Sequence, residues 1–588
     1  MKSPIDLLSS YLMDLRRLEP DVKGLHRDEL AMRRRFEHEG NGFLTITLPS
    51  LCDALDEGLA YSKFTCPFGF KRVKGGTIPV FLQGMFCEVF DSITGILKHD
   101  ANLHIVKCLR EFLRMFKKLA LSMDEDTHLD SIAKSKFFDV EEKCRSPISF
   151  DERQLYIIEQ VGKYILPNLD VFETSELHYQ HGPGAVVEGL TANQKWFAVA
   201  DHIDKLEYHG YDYLSWFSKA EPRSSYYRSL SDSAKLISVP KNSTSRRTIT
   251  VEPLLNQFIQ QGYNDHLRSN IERCGILSQS LALTDQSKNQ TLALEGSRTG
   301  KWATLDLSSA SDLLSVKIVE LVFRARPAFL SGILGCRSTS VTEKETVPLV
   351  KFAGMGNATT FPVQSVVFAV LAISALLCRY PPTYRNVKRV ARLVRVYGDD
   401  IIIPTNKSHL VVDWITSAGL VVNTRKSFTI GNFRESCGLD AFRGVEVTPL
   451  YVRCHPINVS KKEPKSLSHY TDLCNQAWLR GLYSLSATLQ QIVEEAIRRR
   501  LPLVTAKCSG LGLVSRQDRY SFQRWNKHLH RPELKAICVE PVFRLDELDG
   551  IGALIKCLSS RTMYVDKKHL SRTPVRFKTK TVLRWVVP

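Results

Sequence analysis

What the sequence lacks narrows its class first. Its 14 cysteines stand singly from Cys52 to Cys557, and none forms a C-x-x-C pair. Zinc ribbons and thioredoxin-type redox motifs therefore have no support, and buried free thiols in a reducing compartment are the simplest account. Low-complexity blocks and internal repeats are missing, which argues against disordered and solenoid classes. The longest nearly apolar run, Val366 to Cys378, is 13 residues, too short to span a bilayer and expected to be a core helix. The opening Met1-Lys2-Ser3-Pro4-Ile5-Asp6 has an early acid and no apolar stretch, so no secretion signal and no membrane partner are expected.

What remains is globular: 588 residues, 43% hydrophobic and 24% charged, enough for a large core and several subdomains. Lys+Arg 80 exceed Asp+Glu 62, for a formal charge of +18. An excess of that size points to a polyanionic partner, most simply nucleic acid; a merely soluble basic surface would have the same composition.

One stretch organises the chain: Arg395-Val396-Tyr397-Gly398-Asp399-Asp400-Ile401-Ile402-Ile403-Pro404. Short β-branched apolar runs on both sides, Leu393-Val394 and Ile401 to Ile403, read as two buried strands. The glycine and paired acids between them are turn composition. A tight strand–turn–strand would push both carboxylates out at its tip. Two adjacent ionised acids repel, and beside apolar strands they are costly unless a cation neutralises them. Divalent-metal binding is therefore favoured over an ordinary Asp-Asp turn.

Other pieces are ambiguous singly. Residues 1 to about 130 read as mostly helical; Arg33-Arg34-Arg35 reads as a solvated helix face and His181 as structural. Between Val239 and Pro253, the cations Lys241, Arg246 and Arg247 sit in a Ser/Thr/Asn-rich loop entering a strand, Thr248 to Val251. Such a loop is a phosphate clamp or a plain surface loop. Asp306 ends the strand-like run from Trp302, and Asp312 follows over a serine-rich turn; metal ligand and helix N-cap both suit an aspartate there. Gly354-Met355-Gly356 then presents Asn357 and Thr360 ahead of the apolar helix Val363 to Cys378. Leu410 to Ala418 reads as a helix, and Leu420 to Phe428 as a strand and turn carrying Arg425 and Lys426. After Pro456 the pattern is helical, and the chain closes on a basic tail with no acid after Asp566.

Taken in order, these pieces make the palm of a template-directed polymerase. Nucleotidyl transfer needs two divalent cations about 3.5–4 Å apart, so hard oxygen ligands from separate strands must meet at one point. Asp306, Asp399 and Asp400 would supply them, and Lys241, Arg246 and Arg247 would offset triphosphate charge.

The sequence also resembles a known family, the replicase beta subunits of the positive-strand RNA bacteriophages (leviviruses), which are RNA-directed RNA polymerases. The resemblance rests on Val239-Pro240-Lys241-Asn242, Glu252-Pro253, Asp285-Gln286, Asn289-Gln290 and Gly296-Ser297. It continues through Asp306-Leu307-Ser308, Ala310-Ser311-Asp312, Met355-Gly356-Asn357, Thr360-Phe361, Tyr397 to Ile402 and Phe433 to Gly438. These motifs cover roughly residues 235 to 455. The resemblance implies an α+β right-hand polymerase: 1–235 an N-terminal region, mostly fingers; 236–300 fingers with the basic nucleotide-clamp loop; 301–455 the palm; 456–588 a helical thumb and basic tail. It implies Asp306, Asp399 and Asp400 as ligands for two Mg²⁺ (Mn²⁺ as an alternative), Lys426 as general acid, and Lys241, Arg247, Asp312, Asn357 and Thr360 as nucleotide contacts; Arg246, read as a nucleotide contact from its place in the basic loop, has no equivalent in the family. Asp312 and Asn357 would sense the ribose 2′-hydroxyl. Gly354 departs from the family's usual serine, and Gln364 stands where polymerases more generally carry asparagine. Implied partners are RNA template and product, NTPs, host elongation factors Tu and Ts and a ribosomal small-subunit protein, in the cytoplasm of an infected bacterium. A reverse transcriptase would be expected to carry a bulky aromatic after Asp306, where Leu307 to Ser311 has none. A non-catalytic RNA-binding protein would not require three converging carboxylates.

Overall fold

The computed structural model describes residues 3–120, 123–174, 177–200, 231–514, 519–559 and 567–588. Helices and small sheets alternate in a mixed α+β architecture. The helix Thr360–Leu377 has no polar face, and every residue in it except Phe361 is buried. A helix apolar all round must be enclosed on every side. By length and composition it could cross a membrane, yet 94% of it lies inside the fold. It is part of one hydrophobic core that gathers residues from Val140 to Leu420 with Leu548 and Ile555. A second core joins the N-terminal helices, Ile5 to Leu119, to residues Phe428 to Leu513. The described residues before position 201 are thus divided mainly between these two cores, with Phe137 in a small third cluster, and the chain's beginning packs with its last third.

In chain order the strands are β1 (Ala234–Asn242), β2 (Ser245–Val251), β3 (Trp302–Leu305), β4 (Leu307–Ser308), β5 (Ser340–Thr342) and β6 (Thr346–Pro348). Next come β7 (Arg395–Tyr397), β8 (Asp400–Pro404), β9 (Val421–Val422), β10 (Phe433–Ser436), β11 (Leu439–Phe442) and β12 (Val445–Glu446). Last are β13 (Leu503–Val504), β14 (Leu513–Val514), β15 (Arg524–Asn526), β16 (Arg531–Leu545) and β17 (Arg572–Val586). The central sheet is antiparallel, in the order β3-β8-β7. Its middle strand holds Ile401, Ile402 and Ile403 at 0% exposure. That is why the run is continuous instead of alternating: both faces of β8 are covered.

Two expectations give way. The basic segment after Val239 is not a loop but an antiparallel hairpin of β1 and β2. The small polar residues that read as loop are its turn: Asn242 Oδ1 accepts from Thr244 N, Thr244 Oγ1 and Ser245 Oγ, which closes the chain on itself. The helical pattern after Pro456 is met by Pro464–Leu479 and Tyr483–Ile497, but beyond them the chain is strand-rich. Leu534, Ala536 and Cys538 are buried at every second position of β16, a period the surrounding charge hides. Two bland readings hold. Arg33 meets Asp6, Ser9 and Glu29, and Arg35 meets Glu39. His181 packs against Trp196 and Phe258, and burial pushes its imidazole well below the ordinary range.

Candidate active site

The Asp-Asp turn is built by the buried helix beneath it. Gly398 N–H donates to Ser365 Oγ at 3.2 Å, and Tyr397 packs edge-on against Phe361, centroids 5.3 Å apart. Gly398 has φ +62°, and a Cβ there would stand 2.9 Å from the Phe361 ring, so a side chain would be both strained and crowded. β3 and β8 fix the third acid. Leu305 pairs with Ile401, the last pair of that ladder, so Asp306 leaves β3 beside the start of β8 at Asp400. Asp306, Asp399 and Asp400 line one cavity of about 780 Å³.

The electrostatics follow from that crowding. Burial first, then Asp399, pushes the Asp400 carboxyl up to about 7, while the Cys437 N–H, 3.0 Å from Oδ2, works against the rise. Burial also raises Asp306, opposed by Lys426 and by Asn423, whose Nδ2 donates to Asp306 Oδ2 at 2.7 Å. Lys241, Arg246, Arg247 and Lys426 line the same cavity. At the wall, lost hydration and then Arg247 and Lys426 lower the Lys241 ammonium. Lys426 is raised, chiefly by Glu435, its ion-pair partner at 3.7 Å.

The remaining expected residues divide into engaged and available. Arg246 is tied to Ser238, Nε to Oγ at 2.5 Å and Nη2 to the carbonyl at 2.8 Å, with Asp130 3.9 Å away. Arg247 follows it on the strand and lines the cavity as an exposed side chain. Thr360 Oγ1 donates to Gly354 O at 3.0 Å and so holds the glycine loop closed. That loop lies flush on β2: Thr250 N–H donates to Met355 O at 2.9 Å, and a Cβ on Gly356 (φ +145°) would fall 1.8 Å from Thr250 O. Asp312 meets the buried Lys351 at 3.4 Å; Lys351 also meets Glu141 at 3.5 Å. Asn357 Oδ1 accepts from Thr359 N at 2.8 Å and Oγ1 at 2.7 Å. Its Nδ2, with Ser311 Oγ and Gln364 Oε1, is buried without a partner, and all three residues line the cavity. Unpaired buried polar atoms are costly and recur where a ligand completes them.

Sequence reasoning missed Asn423, Cys437, Glu435 and Lys351 as parts of this site. Asn423 and Glu435 lie within motifs already read, but only the β4–β9 pairing and the packing of β10 on β3, where Arg434 donates to Trp302 O, bring them to the acids. As donors the three carboxylates suit a hard divalent cation. Among the described residues, however, no three acidic, histidine or cysteine side chains stand as a finished ligand set. The donor chemistry fits; the final convergence is not preformed.

Residues 195–462 match the family model described as RNA replicase, beta-chain. The chain is 32% identical over 367 residues to the RNA-directed RNA polymerase subunit beta of Enterobacteria phage SP, covering 58% of this chain and 59% of that one. It is 38% identical over 225 residues to the corresponding subunit of Escherichia virus Qbeta, covering 37% and 35%. With the beta chain of Escherichia phage MS2 it shares 35% over 219 residues, 37% of each. The aligned region spans from about a third to three-fifths of the length of these relatives. Over the region that builds this site, the chain is similar to the RNA replicase beta chains.

Proposed function

We propose that the chain is an RNA-directed RNA polymerase that replicates a viral single-stranded RNA from NTPs. The observation that carries the reading is the juxtaposition of Asp306, Asp399 and Asp400 in a cavity that also holds Lys241, Arg247 and Lys426. The fold is read as a right hand, with the palm at 301–455, fingers mainly before it and a thumb after it. Asp306, Asp399 and Asp400 would hold two Mg²⁺, or Mn²⁺ in their place. When bound, such a pair activates a 3′-hydroxyl and stabilises departing pyrophosphate.

The chain's own residues do the rest. Arg247 and Lys241 face the triphosphate, and charge-assisted hydrogen bonds hold it. Arg246 braces the hairpin that presents them. The unpaired Asn357 Nδ2, with Asp312 nearby, receives the ribose 2′-hydroxyl, which DNA precursors lack. Lys426 donates a proton to pyrophosphate, and Glu435 keeps it charged until then. Partner subunits follow from the relatives' naming as beta subunits; elongation factors Tu and Ts and a ribosomal small-subunit protein are the candidates, in the bacterial cytoplasm. Primer extension on an RNA template tests the reading. NTP incorporation that needs Mg²⁺ and excludes dNTPs is expected; preferential dNTP use would favour a reverse transcriptase, and no incorporation by the chain with its partner subunits would overturn the proposal.

A further inference from the structure

β16 and β17, 15 residues each, form a long antiparallel ribbon anchored at both ends. At one end Leu534, Ala536, Cys538 and Val586 are buried with Val504. At the other, Thr573 Oγ1 donates to Asp546 Oδ2 at 2.7 Å, and that oxygen also accepts from Thr191 Oγ1 at 2.9 Å. Between the anchors the register breaks. Pro541 pairs with Thr579 and Phe543 with Pro574, so Val542 alone faces four residues, Val575, Arg576, Phe577 and Lys578. The surplus must bulge from the strand.

Phe577 is 75% exposed and holds φ +60°. A left-handed backbone is unfavourable for a bulky side chain, and a strained, exposed residue points to function. Glycine would hold the same bulge without strain and without a ring in water. Arg576 lies 4.8 Å and Lys465 5.2 Å from the ring centroid. The pattern repeats along the ribbon: Arg572 stands 5.5 Å from the Phe543 ring, and Arg524 3.8 Å from that of Trp585. Phe543 is 49% and Trp585 37% exposed. Residues 567–588 contain seven Lys or Arg and no acid. Glu540 neutralises Arg584 and Glu533 neutralises Arg524, but among the described residues Arg576 and Lys578 have no acidic partner.

Exposed rings interleaved with unneutralised cations suit a polyanion whose flat bases are free to stack, which is single-stranded nucleic acid. We propose that the β16–β17 ribbon is a holding surface for single-stranded RNA, with Phe577 as its base-stacking platform. RNA as the nucleic acid rests on the proposed function. The surface is separate from the cavity at Asp306, which no ribbon residue lines.

The test uses the full chain carrying Asp399→Asn, so that RNA is not consumed, and measures binding of a labelled single strand of about 30 nucleotides and of its duplex across a salt series. Phe577→Ala should weaken single-strand binding about tenfold, leaving duplex affinity and salt dependence unchanged. Phe577→Trp should restore it. Arg576→Gln with Lys578→Gln should flatten the slope of log affinity against log salt by about 1.4, some 0.7 for each cation lost. Phe577→Gly relieves the backbone strain, so its melting temperature should be kept or raised while single-strand binding falls. Single-strand affinity unchanged in both Phe577→Ala and Phe577→Gly would overturn the proposal and leave a protein-docking face instead. An equal fall for duplex would also overturn it, because paired bases cannot stack on the ring. Failure of primer extension by the unsubstituted chain, with ribbon binding intact, would sink the polymerase reading and not this one.

Discussion

Asn423 holds Asp306 from two sides: its Nδ2 donates to the carboxylate at 2.7 Å and its backbone N–H to the Asp306 carbonyl at 2.8 Å. The side-chain bond favours the charged carboxylate. Asn423→Ala should therefore raise the Mg²⁺ concentration needed for half-maximal extension and lower kcat about tenfold, in line with ~1.5–3 kcal/mol for a hydrogen bond to a charged group. A magnesium titration of extension rate checks this; an unchanged midpoint would make Asn423 a purely structural tie.

Asp400 gives a pH dependence with a definite sign. Its carboxyl is raised in the fold to about 7, above the unfolded value of about 3.9. Such a group contributes stability while protonated, fully below about pH 4, and loses it as pH rises through about 7. Without divalent cations, Asp400→Asn should melt with the wild type near pH 4 and above it at pH 8. Added Mg²⁺ at pH 8 should raise the wild type and narrow the gap. Melting curves that run parallel from pH 4 to pH 8 would remove Asp400 as the charge under strain.

Neighbouring arginines should behave differently. Arg247→Ala should raise the KM for NTP and slow transfer, a loss of ~2–4 kcal/mol in kcat/KM if it meets developing charge. Arg246→Ala should instead lower the melting temperature, because Arg246 joins Ser238 and Asp130, with a smaller effect on KM. Equal KM effects with no loss of stability from Arg246→Ala would reverse these assignments.

Lys426→Arg keeps charge beside Glu435 but removes a proton that can be given up near neutral pH. Single-turnover rate should fall ~10²-fold or more, with an altered pH profile and a smaller solvent deuterium isotope effect. An enzyme that keeps all three would reduce Lys426 to an electrostatic anchor.

Much of the site could be read from local sequence because its signals are local. The β7–β8 hairpin is written in six residues, glycine at the positive φ and isoleucines in the buried middle strand. The apolar helix Thr360–Leu377 is legible for the same reason. Contacts between distant segments were not legible. Nothing near Glu435 signals that β10 brings it to Lys426, and Lys351 lies alone in the sequence although it meets both Asp312 and Glu141. The basic hairpin was misread because Asn242, Ser243, Thr244 and Ser245 have loop composition whether a loop is long or a two-residue turn. The C-terminal ribbon was missed because its period-2 burial, at Leu534, Ala536 and Cys538, is confined to one end of β16, while Lys and Arg recur along β17.

Single-nucleotide incorporation by Asp399→Asn tests most directly whether these carboxylates hold the catalytic cations. The substitution keeps the side chain's shape and removes its charge. Template affinity should stay near wild type while the incorporation rate falls by orders of magnitude, as loss of a charged ligand to a catalytic metal requires. A rate within about tenfold of wild type, at the same Mg²⁺ dependence, would contradict the assignment.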